Sequence, residues 1–246
     1  MTMAEASLRH LYEDPRTPLS SGVERAERQA TVLVRAAASA SRRLVAVDVG
    51  CGDGSATAVA MARCKLTPGA DVSIIGLDWS CAALDLARRR GVSVARASIA
   101  GAGLPLASGS VDVVIMSELI EHVVDTDAAL EEAARILTPG GRLLLSTPNL
   151  AAWYNRILLA IGVQPLFSEV SLRGIYGRPG RVVAGHLRLF TRRALEQLLG
   201  SLGFVEIEVQ GAPYHDVPRP LRPVDRAFCH LPGLASILLV SARRPM

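Results

Sequence analysis

Between Leu44 and Ser146 the chain repeats one unit, a short apolar run followed by a segment with helical spacing. Leu44–Val49, Val72–Leu77, Val92–Ala97, Val111–Met116 and Arg142–Ser146 read as strands. Ser55–Cys64, Cys81–Arg90 and Thr126–Leu137 read as helices, the last ended by Pro139-Gly140-Gly141. Apolar runs without in–out alternation are strands buried on both faces, which confines them to a parallel sheet covered by helices on each side. Right-handed crossovers then leave a doubly wound, Rossmann-like α/β sandwich.

The flanking segments complete it. Ser21-Gly-Val-Glu24 has capping-box spacing, and Val23, Ala26, Ala30, Leu33 and Ala37 recur at helical spacing. A leading helix from about Ser21 to Ala40 is predicted, making residues 1–43 a helical lead-in to a domain at 44–246. The rhythm breaks between Asn149 and Arg188, so about 150–190 reads as a cap inserted over the carboxyl edge, with one apolar helix at Ala151–Ile161. Thr191 then caps a helix reaching about Leu202, followed by strands Phe204–Val209 and Ala235–Ala242. A Pro-rich loop joins these two without a visible crossover helix, so they are expected to pair antiparallel. The result is a seven-stranded, mostly parallel sheet with an antiparallel last strand.

Half of the residues are apolar and a fifth charged, which excludes intrinsic disorder. The longest apolar stretches, such as Leu234–Val240, fall well short of the ~18–20 residues of a membrane span. The net charge of +4 rests on arginine, since Lys65 is the only lysine. These arginines are dispersed and form no stripe or tail, so nucleic acid is not the expected partner. Cys51, Cys64, Cys81 and Cys229 form no C-x-x-C pair, against a zinc ribbon or a disulfide framework. Met1–Arg16 lack an apolar leader core, and the cytoplasm is the expected compartment.

The densest local signal is Val45-Ala-Val-Asp48-Val-Gly50-Cys51-Gly52-Asp53-Gly54-Ser55. Alternate glycines after a buried strand allow a tight turn whose amides, with the next helix N-terminus, can hold an anionic group. Asp78 closes the second strand where a doubly wound sheet places an acid against a ribose diol. Ser55 stands where the dinucleotide fingerprint needs its third glycine, and no Gly-Lys-Ser/Thr follows. The pocket suits a ribose and a carboxylate better than a pyrophosphate, and S-adenosylmethionine carries both.

Four blocks in order carry a resemblance: Asp48-Val-Gly-Cys-Gly-Asp-Gly54, then Gly76-Leu-Asp78-Trp79-Ser80, then Leu104-Pro-Leu106 with Ser110-Val-Asp112-Val-Val, then Leu137-Thr-Pro-Gly-Gly141. They resemble class I S-adenosylmethionine methyltransferases, and in particular the type 11 group with the ubiquinone and menaquinone pathway enzymes. The resemblance covers Leu44 to Asn149 and resumes weakly from Gly185. It implies that Gly50, Cys51, Gly52 and Gly54 meet the methionyl part, with Asp48 beneath holding the amine through water. It also implies that Asp78 takes the ribose hydroxyls, Trp79 lies against adenine, and Ser117 and Glu118 border the methionyl end. Where the family often has an acid for the adenine amino group, Ser98 stands instead.

The candidate chemistry lies in Ser117-Glu118-Leu-Ile-Glu121-His122. If Glu118 opens a helix, Glu121 and His122 share its face. The bland alternative is acids stabilising a helix N-terminus and His122 packed on the sheet. Enzymes of quinone O-methylation and of small-RNA 3′ ends have an E-x-x-E-H string that ligates a divalent ion, and the RNA enzymes add a later histidine. That similarity implies a metal set of Glu118, Glu121, His122 and His186, whose donors suit Mn, Fe or Zn better than Mg. Without metal, His122 or His186 is the candidate base. His10, His215 and His230 read as surface-loop residues, while Trp153, Tyr154 and Phe167 line either an acceptor pocket or the core of the cap.

The expected function is methyl transfer from S-adenosylmethionine to a small-molecule acceptor, at a hydroxyl of a quinone or phenol, sugar, polyketide or lipid-like compound. The apolar cap helix also fits an apolar acceptor. Ribose 2′-O-methylation of RNA is the enzymatic alternative, and a non-catalytic S-adenosylmethionine-binding scaffold the other. Nucleobase amino methylation is not expected, because no Asn/Asp-Pro-Pro-aromatic string follows the fourth strand.

Overall fold

Every strand read from the sequence is present in the computed structural model, which describes residues 22–99, 103–180 and 183–246. The strands are β1 (Leu44–Val49), β2 (Val72–Asp78), β3 (Ser93–Arg96), β4 (Val111–Ser117), β5 (Leu137–Pro148), β6 (Val205–Ala212) and β7 (Ile237–Arg243). The helices are α1 (Val23–Ala38), α2 (Ser55–Leu66), α3 (Cys81–Arg89), α4 (Thr126–Ile136), α5 (Trp153–Ala160), α6 (Arg192–Ser201) and α7 (Arg222–Phe228). One sheet runs in the order β3-β2-β1-β4-β5-β7-β6. β1 to β5 are parallel, and β7 lies antiparallel between β5 and β6. The strand order reverses between β1 and β4, the switch point outside whose carboxyl ends such sheets bind ligands.

Alternation along the strands sorts the core into two layers. Val114 and Met116 of β4 pack with Leu130, Ala133 and Ile136 of α4 and Leu195 and Leu199 of α6. Val113 and Ile115 face the other way, onto Ala30, Leu33 and Ala37 of α1 and Ala60 and Cys64 of α2. Leu33 and Leu130 are fully buried, each contributing about 1.5–3 kcal/mol of transfer free energy. Helix starts follow the capping rules: Ser80, Asp125 and Thr191 accept from the amides of Ala83, Ala128 and Ala194. Among the described residues no helix is long and apolar enough to cross a membrane.

Four local expectations change. Ser21 and His10 lie outside the described residues, and α1 starts after Gly22 with no side-chain cap. Pro139-Gly140-Gly141 does not precede β5 but is taken up within it, as an irregularity between the Val111–Leu137 and Val113–Arg142 pairs. The connection from β6 to β7 holds a 3₁₀ turn, Arg219–Leu221, and helix α7. Two of its prolines, Pro220 and Pro223, occupy first-turn positions, where a missing N–H costs nothing, so they start helices rather than prevent them. Finally, Glu118 opens no helix, and α4 begins only after Asp125. The segment that follows β5 leaves its carboxyl end, and a bridge between Asn149 and Phe190 joins the two ends of that segment.

Candidate active site

After β1 the chain turns through Gly50, Cys51 and Gly52 into α2, which Gly54 opens in the left-handed region at φ +73°. A Cβ on Gly54 would lie 2.7 Å from that of Ala87, so this glycine lets the loop sit on α3. Gly52 differs, since at φ +55° a Cβ there would meet nothing within 4 Å. Its bare face borders open space, where a ligand can approach the backbone. The Cys51 side chain is buried, and a Cβ on Gly76 would fall 2.7 Å from its Sγ. Burial pushes that thiol up, so it stays protonated.

Asp48 and Asp78 brace this loop from two strands. Asp48 accepts 2.6 Å from Thr57 Oγ1, while its Oδ1 is buried without a hydrogen-bond partner. Burial outweighs the Thr57 bond and the charge of Arg25, pushing the Asp48 carboxyl up to about 6. Asp78 accepts from the amides of Gly52 at 2.9 Å and Ser80 at 2.8 Å. It therefore ties the glycine loop to β2 while its oxygens keep lone pairs for a diol. Trp79 and Ser98 stand half-buried past the ends of β2 and β3. Ser117 donates to Gln29 Oε1 at 2.6 Å, and both line a small cavity with Asp48 and Thr57.

Gln29 and Arg25 escaped the sequence reading. Both are buried on α1, and Arg25 donates to Ser146 Oγ at 3.0 Å but makes no ion pair among the described residues. Its charge is felt by Asp48 and Glu121. The available signal was their i, i+4 spacing beside the apolar stripe of Ala26, Ala30 and Leu33.

Past β4 the backbone bends at Glu118, which has φ +51° and donates its amide to Ser146 O. A turn closed by His122 N on Leu119 O replaces the expected helical face. That turn still gathers three of the four residues of the expected metal set. One ligand atom each from Glu121, His122 and His186 lies within 4.8 Å of the others. Glu118 is outside that group, although its charge helps to raise the Glu121 carboxyl and partly opposes the lowering of His186 by burial. Glu118 Oε1 and Glu121 Oε1 are buried without hydrogen-bond partners.

The two imidazoles lie 4.7 Å apart between ring centroids. His122 Nδ1 meets Gly185 O at 3.1 Å, and His186 Nδ1 meets Phe167 O at 3.0 Å. A carbonyl only accepts, so both Nδ1 atoms carry the proton and both Nε2 atoms keep the lone pair. Burial, reinforced by His186, lowers His122 to about 3, and burial lowers His186 as well. Burial, and then Glu118, hold the Glu121 carboxyl well above the usual carboxylate range. Phe167 packs on His186 and edge-on against Tyr214, forming an aromatic wall on the cap side.

A switch-point glycine loop, an acid closing the second strand and a buried polar cluster beyond the fourth define a class I S-adenosylmethionine-dependent methyltransferase. The chain belongs to the methyltransferase-domain family, whose model matches residues 23–209, and its relatives agree with the type 11 motifs. It is similar to a ubiquinone biosynthesis O-methyltransferase of Chelativorans sp., 27% identical over 156 residues covering 62% of this chain and 58% of that one. It also resembles a probable S-adenosylmethionine-dependent methyltransferase of Mycobacterium tuberculosis, 32% identical over 158 residues, 61% of this chain and 49% of the other. These matches span less than two thirds of either relative. Among solved structures, an S-adenosylmethionine-dependent methyltransferase of Thermotoga maritima shares the fold, with TM-score 0.56 at 20% identity over 89% of this chain and 91% of that one.

Proposed function

We propose that the enzyme methylates an oxygen of a small-molecule acceptor held between the β4 turn and the cap. The observation that carries this reading is the meeting of Glu121, His122 and His186 beside the donor loop. The names of the ubiquinone-pathway relatives support oxygen as the atom methylated.

On the donor side, Gly50, Cys51, Gly52 and Gly54 present backbone to the methionyl part, and Asp48 Oδ1 faces its amine. Asp78 takes the ribose hydroxyls, with Trp79 and Ser98 beside the adenine and Ser117 and Glu118 at the methionyl end. Arg25 adds a role no motif indicated: a buried guanidinium that makes no ion pair among the described residues suits the donor's carboxylate. The bound sulfonium supplies an already activated methyl group, so these residues align it and exclude water.

On the acceptor side the basicity of the imidazoles decides their part. A ring nitrogen with a pKa near 3 takes a proton poorly at neutral pH, and the neutral imidazole is the form that ligates a cation. Glu121 Oε1, which has no hydrogen-bond partner and lies 3.9 Å from His122 Nε2, completes a donor set that fits a divalent ion. Glu121, His122 and His186 would hold Mn, Fe, Zn or Mg, which when bound lowers the pKa of a nearby hydroxyl.

An acceptor panel reading S-adenosylhomocysteine, with and without EDTA, tests the proposal. Turnover on phenolic or other hydroxylic acceptors should stop in EDTA and return with Mn²⁺, while donor binding persists. His122→Ala and His186→Ala should each lose metal affinity. Full activity in EDTA with background metal content removes the cation, and turnover confined to RNA, falling steeply with salt, removes the small acceptor.

A further inference from the structure

Between α5 and α6 the cap carries a carboxylate that no motif marks. The Glu169 side chain is 1% exposed. Its Oε1 accepts from Ala184 N at 2.6 Å and from Arg178 Nη2 at 3.0 Å. Its Oε2 accepts from Gly185 N at 2.7 Å and His186 N at 2.9 Å. Three consecutive amides and a guanidinium converging on one carboxylate are charge-assisted bonds, roughly twice as strong as neutral ones.

What this segment does next gives the contact its meaning. Gly185 donates its amide to Glu169 and offers its carbonyl to His122 Nδ1. His186 donates its amide to Glu169, while its Nδ1 reaches Phe167 O, two residues before Glu169. Phe167 itself sits at φ +70°, a conformation that persists only where surrounding structure enforces it. Both imidazoles are thus oriented by carbonyls on the two stretches of chain that this carboxylate clasps together.

We propose that Glu169 is a positioning residue, holding the Ala184–His186 backbone where it sets both His122 and His186 as Nδ1–H tautomers at the acceptor site. The functional part rests on the reading that the two histidines flank the reacting oxygen. The tautomer part does not.

Glu169→Gln is nearly isosteric but turns an NH₂ group toward donors that a carboxylate oxygen now receives. Two-bond ¹⁵N–¹H spectra of the full-length, histidine-labelled protein read the tautomers directly. In the wild type both rings are Nδ1–H. In Glu169→Gln at least one should become a tautomer mixture, and turnover should fall about 10–100-fold, the usual effect of losing a group that orients an active-site ligand. Donor Kd should stay unchanged. A folded variant with both wild-type tautomers intact overturns the proposal.

If the variant does not fold, the wild type decides. Slow hydrogen exchange at the Gly185 and His186 amides together with Nδ1–H on both rings supports the clasp, and rapid exchange there overturns it. His122→Ala and His186→Ala separate the two layers. Full turnover in both would remove the histidines from the reaction, leaving the spectra to judge Glu169.

Discussion

Burial holds the Asp48 carboxyl at about 6, against an ordinary value of 3.8, with Thr57 and Arg25 only partly offsetting the desolvation. A raised acid favours the folded state below its unfolded pKa, and that contribution is lost as pH rises through the folded value. Ionised Asp48 therefore opposes folding above pH 6. Asp48→Asn keeps an acceptor for Thr57 and removes the charge, so its stability relative to wild type should improve between pH 5 and pH 8 by roughly 1–3 kcal/mol. Donor affinity should fall in the same variant. Melting temperatures at the two pH values check the sign, and an equal difference at both would show that the carboxyl is not held up. At this scale the sequence shows Asp48, the glycines and Asp78, because spacing along one β–α–β unit places them. Arg25 and Glu169 are invisible there. The Ser146 partner of Arg25 is 121 residues away, and the four donors to Glu169 gather only once the cap folds.

Among the elements, α7 shows most plainly what pattern reading misses. Its prolines suggested a loop, yet the helix carries Asp225, which is 1% exposed. Asp225 receives Trp153 Nε1 of α5 at 2.9 Å and Tyr214 N, past β6, at 3.0 Å, and it also accepts from Ser236 Oγ. One side chain thereby joins the cap helix to the ends of two strands and supports the wall where Tyr214 meets Phe167. Asp225→Ala strands three donors, each costing about 1–3 kcal/mol if it stays buried and unpaired. The expected result is a clear fall in Tm with a raised KM for acceptor and an unchanged Kd for donor. A donor defect of equal size would mean that α7 supports the whole carboxyl edge and not the cap alone. The parallel strands were legible because burial on both faces writes a continuous apolar run. The β4 turn was not, since the residue before it gives its amide to β5 and a helical spacing is never realised.

At the scale of the whole molecule, segments far apart in sequence converge on the carboxyl edge of β1 and β4. The sheet supplies the loop and its acids, α1 brings Arg25 and Gln29 across from the start of the described chain, and the cap brings His186 from the other side. The donor-binding reading makes α1 part of the site and not merely a cover for the sheet. Ligand binding then stabilises what it touches: at about 100 times Kd, donor should add roughly 2.7 kcal/mol to folding. With a Tm response of about 2–4 °C per kcal/mol for a chain of this size, that is a shift of roughly 5–11 °C. The location of the protection is the sharper test. Hydrogen exchange should slow on adding S-adenosylmethionine at Gly50–Ser55 and also in the first two turns of α1 around Arg25 and Gln29. Arg25→Met should abolish the α1 protection and weaken donor binding while leaving the loop protection at saturating donor. Protection confined to the glycine loop would reduce α1 to packing and leave the buried guanidinium, among the described residues, with its Ser146 contact.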